Sequence, residues 1–181
     1  MIPRLSPSDA SVLIKKGGIV IYPTEGIYGL GCDPFNEKSV SNVFAIKGRA
    51  KHKNFIIICS DTKYLTKIIN KDYLRNKDIN SKSFVTWIVP SNKICPIWLC
   101  DNSLVAVRVT NHPTIKQLCE NLNGPIISTS ANYSNKEYVN NLKIIEDLFD
   151  SKIDCIVEGK LGKMERPSVI KNIVTNEILR K

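Results

Sequence analysis

The sequence predicts an α/β fold: one twisted sheet of mixed parallel and antiparallel strands, flanked by helices. Three observations carry this. Short apolar runs alternate with segments of helical period, but without a strict strand–helix–strand rhythm. The run Phe55-Ile56-Ile57-Ile58-Cys59 is apolar throughout, as a central strand buried on both faces would be. The 181 residues, 43% hydrophobic and 24% charged, suit one domain covering 1–181 with a sizeable core.

The elements follow in chain order. Ser6 or Ser8 caps a helix over about residues 8–16, and Gly17-Gly18 stops it. Ile19-Val20-Ile21-Tyr22 is a short strand ended by Pro23. Val40, Val43, Phe44 and Ile46 share one face of a helix within residues 37–47. The apolar strand at 55–59 follows, then a helix over 61–70 and a strand over 84–89. Residues 104–109 form a strand, and Thr110-Asn111-His112-Pro113 opens a helix reaching about Leu122. Pro125 to Ile127 is a strand running into Ser128-Thr129-Ser130-Ala131-Asn132. A helix near 140–149 and strands near 153–157, 168–174 and 177–180 complete the chain.

Composition excludes a disordered tail, a collagen-like rod and a disulfide-stapled mini-domain. The formal net charge is +9, which invites a nucleic-acid or polyphosphate partner. The cations are 20 Lys against 6 Arg, in a chain rich in Ile and Asn. An A/T-rich coding sequence yields the same bias, so the total charge alone decides nothing. The N-terminus has no apolar stretch of the secretory kind, and no apolar run is long enough to span a bilayer. None of the six cysteines forms a Cys-x-x-Cys pair, and His52 and His112 do not stand at metal-ligand spacing from them. A reduced cytoplasmic protein with structural cysteines and no side-chain metal ligands is expected.

Three polar clusters lie beside apolar strands, where α/β sheets gather functional groups. Pro23-Thr24-Glu25-Gly26-Ile27-Tyr28-Gly29-Leu30-Gly31 interleaves a hydroxyl, a carboxylate and a phenol with three glycines. It reads as a ligand loop or as a capped tight turn. It is neither G-x-G-x-x-G nor part of a G-x-x-x-x-G-K-[ST] phosphate loop, which is absent throughout. Lys47-Gly48-Arg49-Ala50-Lys51-His52-Lys53 places four cations in seven residues. If extended, it projects Lys47, Arg49, Lys51 and Lys53 to one side as a polyphosphate clamp; otherwise it is a solvated basic loop. Ser128-Thr129-Ser130-Ala131-Asn132 offers hydroxyls and an amide without a G-x-S-x-G elbow, which suits anion binding or a plain turn. Together the three supply cations, hydroxyls and an amide but few bases. That set fits charge stabilisation in phosphoryl or nucleotidyl transfer.

At these residues the sequence resembles the YrdC/TsaC family of L-threonylcarbamoyladenylate synthases. The stretches are Tyr22 to Pro34 (YPTEGIYGLGCDP), Lys47-Gly48-Arg49, Ala106 to Pro113 (AVRVTNHP) and Ser128 to Asn132 (STSAN), in the family's order and at similar spacing. The resemblance runs from Gly17 to Arg180 and fits the bacterial form that has one YrdC-like domain. It implies a YrdC-like twisted mixed sheet around a basic concave active-site cavity. It also implies an enzyme, a nucleotidyltransferase, that makes threonylcarbamoyl-AMP and pyrophosphate from L-threonine, bicarbonate or CO2 and ATP. Mg2+ accompanies ATP, and a downstream complex transfers the threonylcarbamoyl group to adenosine in tRNA.

Residue by residue, the resemblance makes Lys47, Arg49, Ser130 and Asn132 the catalytic signature. Lys47 and Arg49, with Lys53, Ser128 and Ser130, contact ATP; Thr24, Tyr28, Arg108 and Ser168 face threonine. In the implied reaction, the threonine amine captures CO2 or bicarbonate. A carbamate oxygen then attacks the α-phosphorus and pyrophosphate departs. The carbamate is already anionic, so no strong protein base is needed. The chain departs from the family at Lys82-Ser83-Phe84, Ala50, Asn54-Phe55 and Asn135, the last standing where Gly is common. A second reading is a non-catalytic double-stranded RNA or ribosome-binding module of YrdC type, with weak RNA binding. No RNP, KH or zinc-knuckle pattern supports it, and few aromatics interleave with the basic residues.

Overall fold

The computed structural model describes residues 2–49, 55–164 and 166–180. Among these residues ten strands make one sheet: β1 (Arg4–Leu5), β2 (Val20–Pro23), β3 (Tyr28–Gly31), β4 (Ile56–Cys59), β5 (Val85–Pro90), β6 (Leu104–Val109), β7 (Ile126–Ser130), β8 (Cys155–Val157), β9 (Val169–Asn172) and β10 (Ile178–Arg180). Their spatial order is β1-β8-β2-β3-β7-β4-β6-β5-β9-β10. β2 runs parallel to β8, and β4 parallel to β6, whereas β7 is antiparallel to both β3 and β4. The sheet is therefore mixed, as the irregular alternation of elements predicts.

Among the described residues five α-helices accompany it: α1 (Pro7–Lys15), α2 (Glu37–Lys47), α3 (Lys77–Asn80), α4 (Pro113–Leu122) and α5 (Leu142–Phe149). Each start has a local cause. The Ser6 and Asn36 side chains accept backbone N–H bonds at the first turns of α1 and α2, and Asn141 does so for α5. Pro113 occupies the first turn of α4, where its missing N–H costs nothing. The helices α1 and α4 pack on each other, α1 against β1 and β8, α4 against β2 and β4. Along β6, Val105, Val107 and Val109 are buried on one face. Leu104, Ala106 and Arg108 alternate to the other, which is the functional face.

Two local expectations fail. Residues 61–70 are not an α-helix: a 3-10 turn spans Thr62–Leu65, and another spans Lys71–Tyr73. Ile68 and Ile69 are both fully buried, and Ile69 bridges to Ser91. Burying two adjacent side chains while pairing with a strand does not fit one amphipathic helical face. The glycine-rich 28–31 segment is strand β3, not a loop. Gly31 permits it, because a Cβ there would fall on the Ile127 carbonyl. Asn135 adopts φ +62°, so the left-handed turn survives without glycine. All six cysteines are free thiols, four of them buried. Among the described residues no helix is long and apolar enough to cross a membrane.

Candidate active site

The functional face of the sheet opens into a cavity of about 520 Å³, within the range of small-molecule sites. One half is an apolar floor of Ile56, Ile88, Leu104, Ala106 and Ile170. The other half is polar and basic, and it gathers residues far apart in the chain. Thr24 arrives from the end of β2, Arg49 from just past α2, Arg108 from β6. Ser128 and Ser130 come from β7, and Ser168 from the turn into β9. These six sequence-assigned residues share one wall. Tyr28 and Asn132 are not among the lining residues; the Tyr28 N–H donates to the Tyr138 hydroxyl oxygen at 2.7 Å. Lys53 lies outside the described residues.

Lys47 requires a correction. The extended reading of the basic loop sends it to the same side as Arg49, but Lys47 is the last residue of α2 and is buried. Gly48 then takes φ +58°, the left-handed helix stop, and the chain leaves in a new direction towards Arg49. The Lys47 Nζ donates to the Ser130 carbonyl at 2.6 Å, the Asn132 carbonyl at 2.5 Å and the Asn132 Oδ1 at 3.3 Å. Three acceptors match the three N–H bonds of an ammonium. The Ser130 hydroxyl donates to the same Oδ1 at 2.6 Å, and the Asn132 amide donates to the Lys136 carbonyl. Lys47, Ser130 and Asn132 thus form one knot under the cavity wall. Burial first, and Arg49 second, lower the Lys47 pKa to about 8.

Arg108 is buried and ion-paired: its Nη2 donates to Glu25 Oε2 at 3.0 Å. The other carboxylate oxygen accepts the Thr110 hydroxyl. The Phe84 ring centroid lies 5.1 Å from the guanidinium, so the residue that departs from the family pattern stacks on this arginine. Ser168 is held by Thr86, their hydroxyls 2.7 Å apart, and by Arg180, whose Nε and Nη2 donate to its carbonyl.

Arg180 also lines the cavity, and the sequence reading does not single it out. Its only signal is an arginine closing a short apolar strand at the end of the chain. Burial lowers the pKa values of Arg49, Arg108 and Arg180; Arg180 adds to the shift of Arg49, and Arg108 to that of Arg180. Arginine stays charged through such shifts, so three guanidinium groups converge on one low-dielectric wall. With Arg108 offset by Glu25, the net positive field suited to an anionic ligand comes mainly from Arg49 and Arg180. Among the described residues no group of three His, Cys, Asp or Glu side chains could hold a metal.

Fold and cavity together define a mixed α/β protein with a basic pocket of a size and charge suited to an anionic small molecule. Residues 12–181 match the Sua5/YciO/YrdC family model, described as "Telomere recombination". A Threonylcarbamoyl-AMP synthase of Coxiella burnetii (strain RSA 493 / Nine Mile phase I) is 41% identical over 179 residues, covering 97% of this chain and 96% of that one. The enzyme of the same name from Pseudoalteromonas translucida is 36% identical, covering 94% and 95%. Among solved structures, P. abyssi Sua5 complexed with L-threonine superposes with a TM-score of 0.85 at 24% identity, covering 96% of this chain and 54% of that longer one. E. coli YciO gives a TM-score of 0.81 at 22% identity, covering 100% and 98%. At these identities the structures establish the fold. The chain belongs to the Sua5/YciO/YrdC family.

Proposed function

We infer that this chain is an enzyme that forms threonylcarbamoyl-AMP and pyrophosphate from L-threonine, bicarbonate or CO2 and ATP, and so is a nucleotidyltransferase serving tRNA modification. The observation that carries the reading is the near full-length match to relatives named Threonylcarbamoyl-AMP synthase. The cavity agrees in size and charge with a polyanionic nucleotide beside a small amino acid.

Arg49 and Arg180, with Ser128 and Ser130, hold the phosphates and stabilise charge as pyrophosphate leaves. The apolar floor receives the base. Arg108, with Thr24 and Ser168 in the same cavity lining, receives threonine, the guanidinium meeting the carboxylate; Tyr28 is assigned to threonine on the resemblance alone. Lys47 and Asn132 keep their place in the catalytic signature by bracing Ser130 rather than by touching phosphate. Lys53 is assigned to ATP on the resemblance. Mg2+ enters with the ATP phosphates, which chelate it, and the chain's own residues do the positioning. Carbamate formation on the threonine amine leaves an anion whose oxygen attacks the α-phosphorus. The wall of arginines and hydroxyls stabilises charge there without a protein base.

The test is incubation of the chain with ATP, Mg2+, L-threonine and bicarbonate. Pyrophosphate and an AMP adduct are expected, both lost when threonine or bicarbonate is omitted. Absence of both products, with tight binding of structured RNA at physiological salt, would overturn the reading in favour of the binding module.

A further inference from the structure

We propose that Glu25 is a positioning and specificity residue: it aims Arg108 and cancels part of its charge, so that this end of the cavity takes a single carboxylate rather than a phosphate. The proposal rests on the reading that Arg108 meets the threonine carboxylate.

The geometry starts at the end of β6, where Arg108 and Thr110, the residue just past the strand, both reach the Glu25 carboxylate. The Glu25 carboxylate bridges them, one oxygen to Arg108 Nη2 at 3.0 Å and the other to the Thr110 hydroxyl. Thr110 is itself fixed, because its hydroxyl oxygen accepts the His112 N–H at 3.0 Å. The Glu25 backbone is held from the opposite side: its carbonyl accepts the Met164 N–H at 2.8 Å, and the adjoining Thr24 carbonyl accepts the Gly162 N–H at 2.8 Å. The carboxylate therefore stands on rigid supports at both ends and has little freedom to follow the arginine. The arginine follows it.

Two features of Arg108 give this a consequence for ligands. Its guanidinium is clamped on one edge by Glu25 and on one face by Phe84. Its Nε is buried without a hydrogen-bond partner among the described residues. An unsatisfied buried donor on a cavity-lining cation is a costly arrangement, which an acceptor oxygen relieves. The rest of the wall makes the charge argument. Arg49 and Arg180 also line this cavity, and a polyanion is drawn to the greatest positive potential. An ion-paired Arg108 contributes little net field, so phosphate gains little there beyond what Arg49 and Arg180 offer. A carboxylate, singly charged and planar, is recognised by the donor's direction. Glu25 thus separates two anion sites within one basic pocket.

The test is Glu25→Gln, assayed by pyrophosphate release and, independently, by calorimetric titration with L-threonine and with inorganic phosphate. The threonine KM is expected to rise about tenfold or more, the loss typical of breaking a desolvated charge pair. The ATP KM is expected to change by less than about threefold, and phosphate becomes a tighter competitor of threonine. Glu25→Asp restores the charge but not the reach. It brings phosphate competition back towards the wild-type level and leaves the threonine KM raised. A folded Glu25→Gln protein with threonine KM and phosphate inhibition both within twofold of wild type overturns the proposal. Should Glu25→Gln fail to fold, Thr110→Val frees one carboxylate oxygen and keeps the charge. A threefold rise in threonine KM without tighter phosphate inhibition then supports the proposal, and an unchanged KM overturns it. A wild-type chain that releases no threonine-dependent pyrophosphate would sink the functional reading instead. The calorimetric threonine-to-phosphate preference, lost or kept in Glu25→Gln, would still decide the role of Glu25.

Discussion

The Lys47 ammonium lies 2.6 Å from the carbonyl oxygen of Ser130, a residue 83 positions away in the chain. That bond ties the end of α2 to the end of β7. It places Arg49, two residues on, and Ser130 on the same cavity wall. The lysine is a brace whose donors are already committed to Ser130 and Asn132.

Replacing Lys47 by Met keeps much of the volume and removes all three donors. The variant leaves the Ser130 and Asn132 acceptors without their donor, which costs stability, but it also removes a desolvated charge, and it is expected to fold. Its pyrophosphate release is expected to fall about 100-fold, the effect of a catalytic group displaced by about 1 Å. Activity within threefold of wild type would show that the knot does not position Ser130.

Lys47 also makes a pH prediction. Its pKa in the folded protein is about 8, below the ordinary value of 10.5. Between these two values the unfolded chain holds a proton that the folded protein has released. Its contribution to stability therefore rises with pH across that window, and it is lost again as pH falls through about 8. Buried thiols such as Cys32 and Cys59 are pushed the other way by burial and oppose this in wild type. The stability difference between wild type and Lys47→Met, from urea unfolding, isolates the lysine and is expected to move in favour of wild type from about pH 8 to about pH 10.5. Activity takes the opposite course. A neutral amine has two N–H donors for three acceptors, so the rate is expected to decline above about pH 8.

Arg180 joins the cavity from the last strand and holds the Ser168 carbonyl with two N–H groups. Arg180→Ala is expected to raise the ATP KM about 10- to 100-fold, the range for losing hydrogen bonds to a charged partner worth ~1.5–3 kcal/mol. Loss of the Ser168 tether adds a smaller rise in threonine KM. Initial rates against each substrate separate the two, and an unaltered ATP KM would remove Arg180 from the phosphate site.

Gly31 offers a stability test away from the cavity. A methyl group there meets the Ile127 backbone, which cannot turn aside as a side chain would. Gly31→Ala is expected to cost about 3 kcal/mol in urea unfolding, at the upper end for overpacking. A loss below about 1 kcal/mol would mean that β3 and β7 can part to admit it.

Much of the fold is legible locally. The apolar run before Ser60 becomes β4, and Ser6 and Pro113 start helices where their chemistry predicts. The 61–70 segment and β3 are not legible. Adjacent buried isoleucines and strand glycines make sense only against partners distant in sequence, Ser91 for Ile69 and Ile127 for Gly31. Among the site residues, Arg49, Arg108, Ser128, Ser130 and Ser168 are recognisable from motifs and do meet at the cavity. Arg180 carries no motif of its own.

The net charge of +9 identifies a basic chain but not where its field acts. Residue types and spacing determine the strands, the helix caps and the family membership, because these depend on periodicity, short-range hydrogen bonding and matched motifs. Which cations face the ligand is a different matter. Lys47 and Arg49 are two residues apart, yet one turns inward to backbone carbonyls and the other lines the cavity. The cause is the left-handed turn at Gly48, together with acceptors supplied by β7. Arg108 and Glu25 are 83 residues apart and share one ion pair. Burial and pairing are properties of the assembled sheet, and they divide the basic residues into braces, a matched pair and ligand-facing cations.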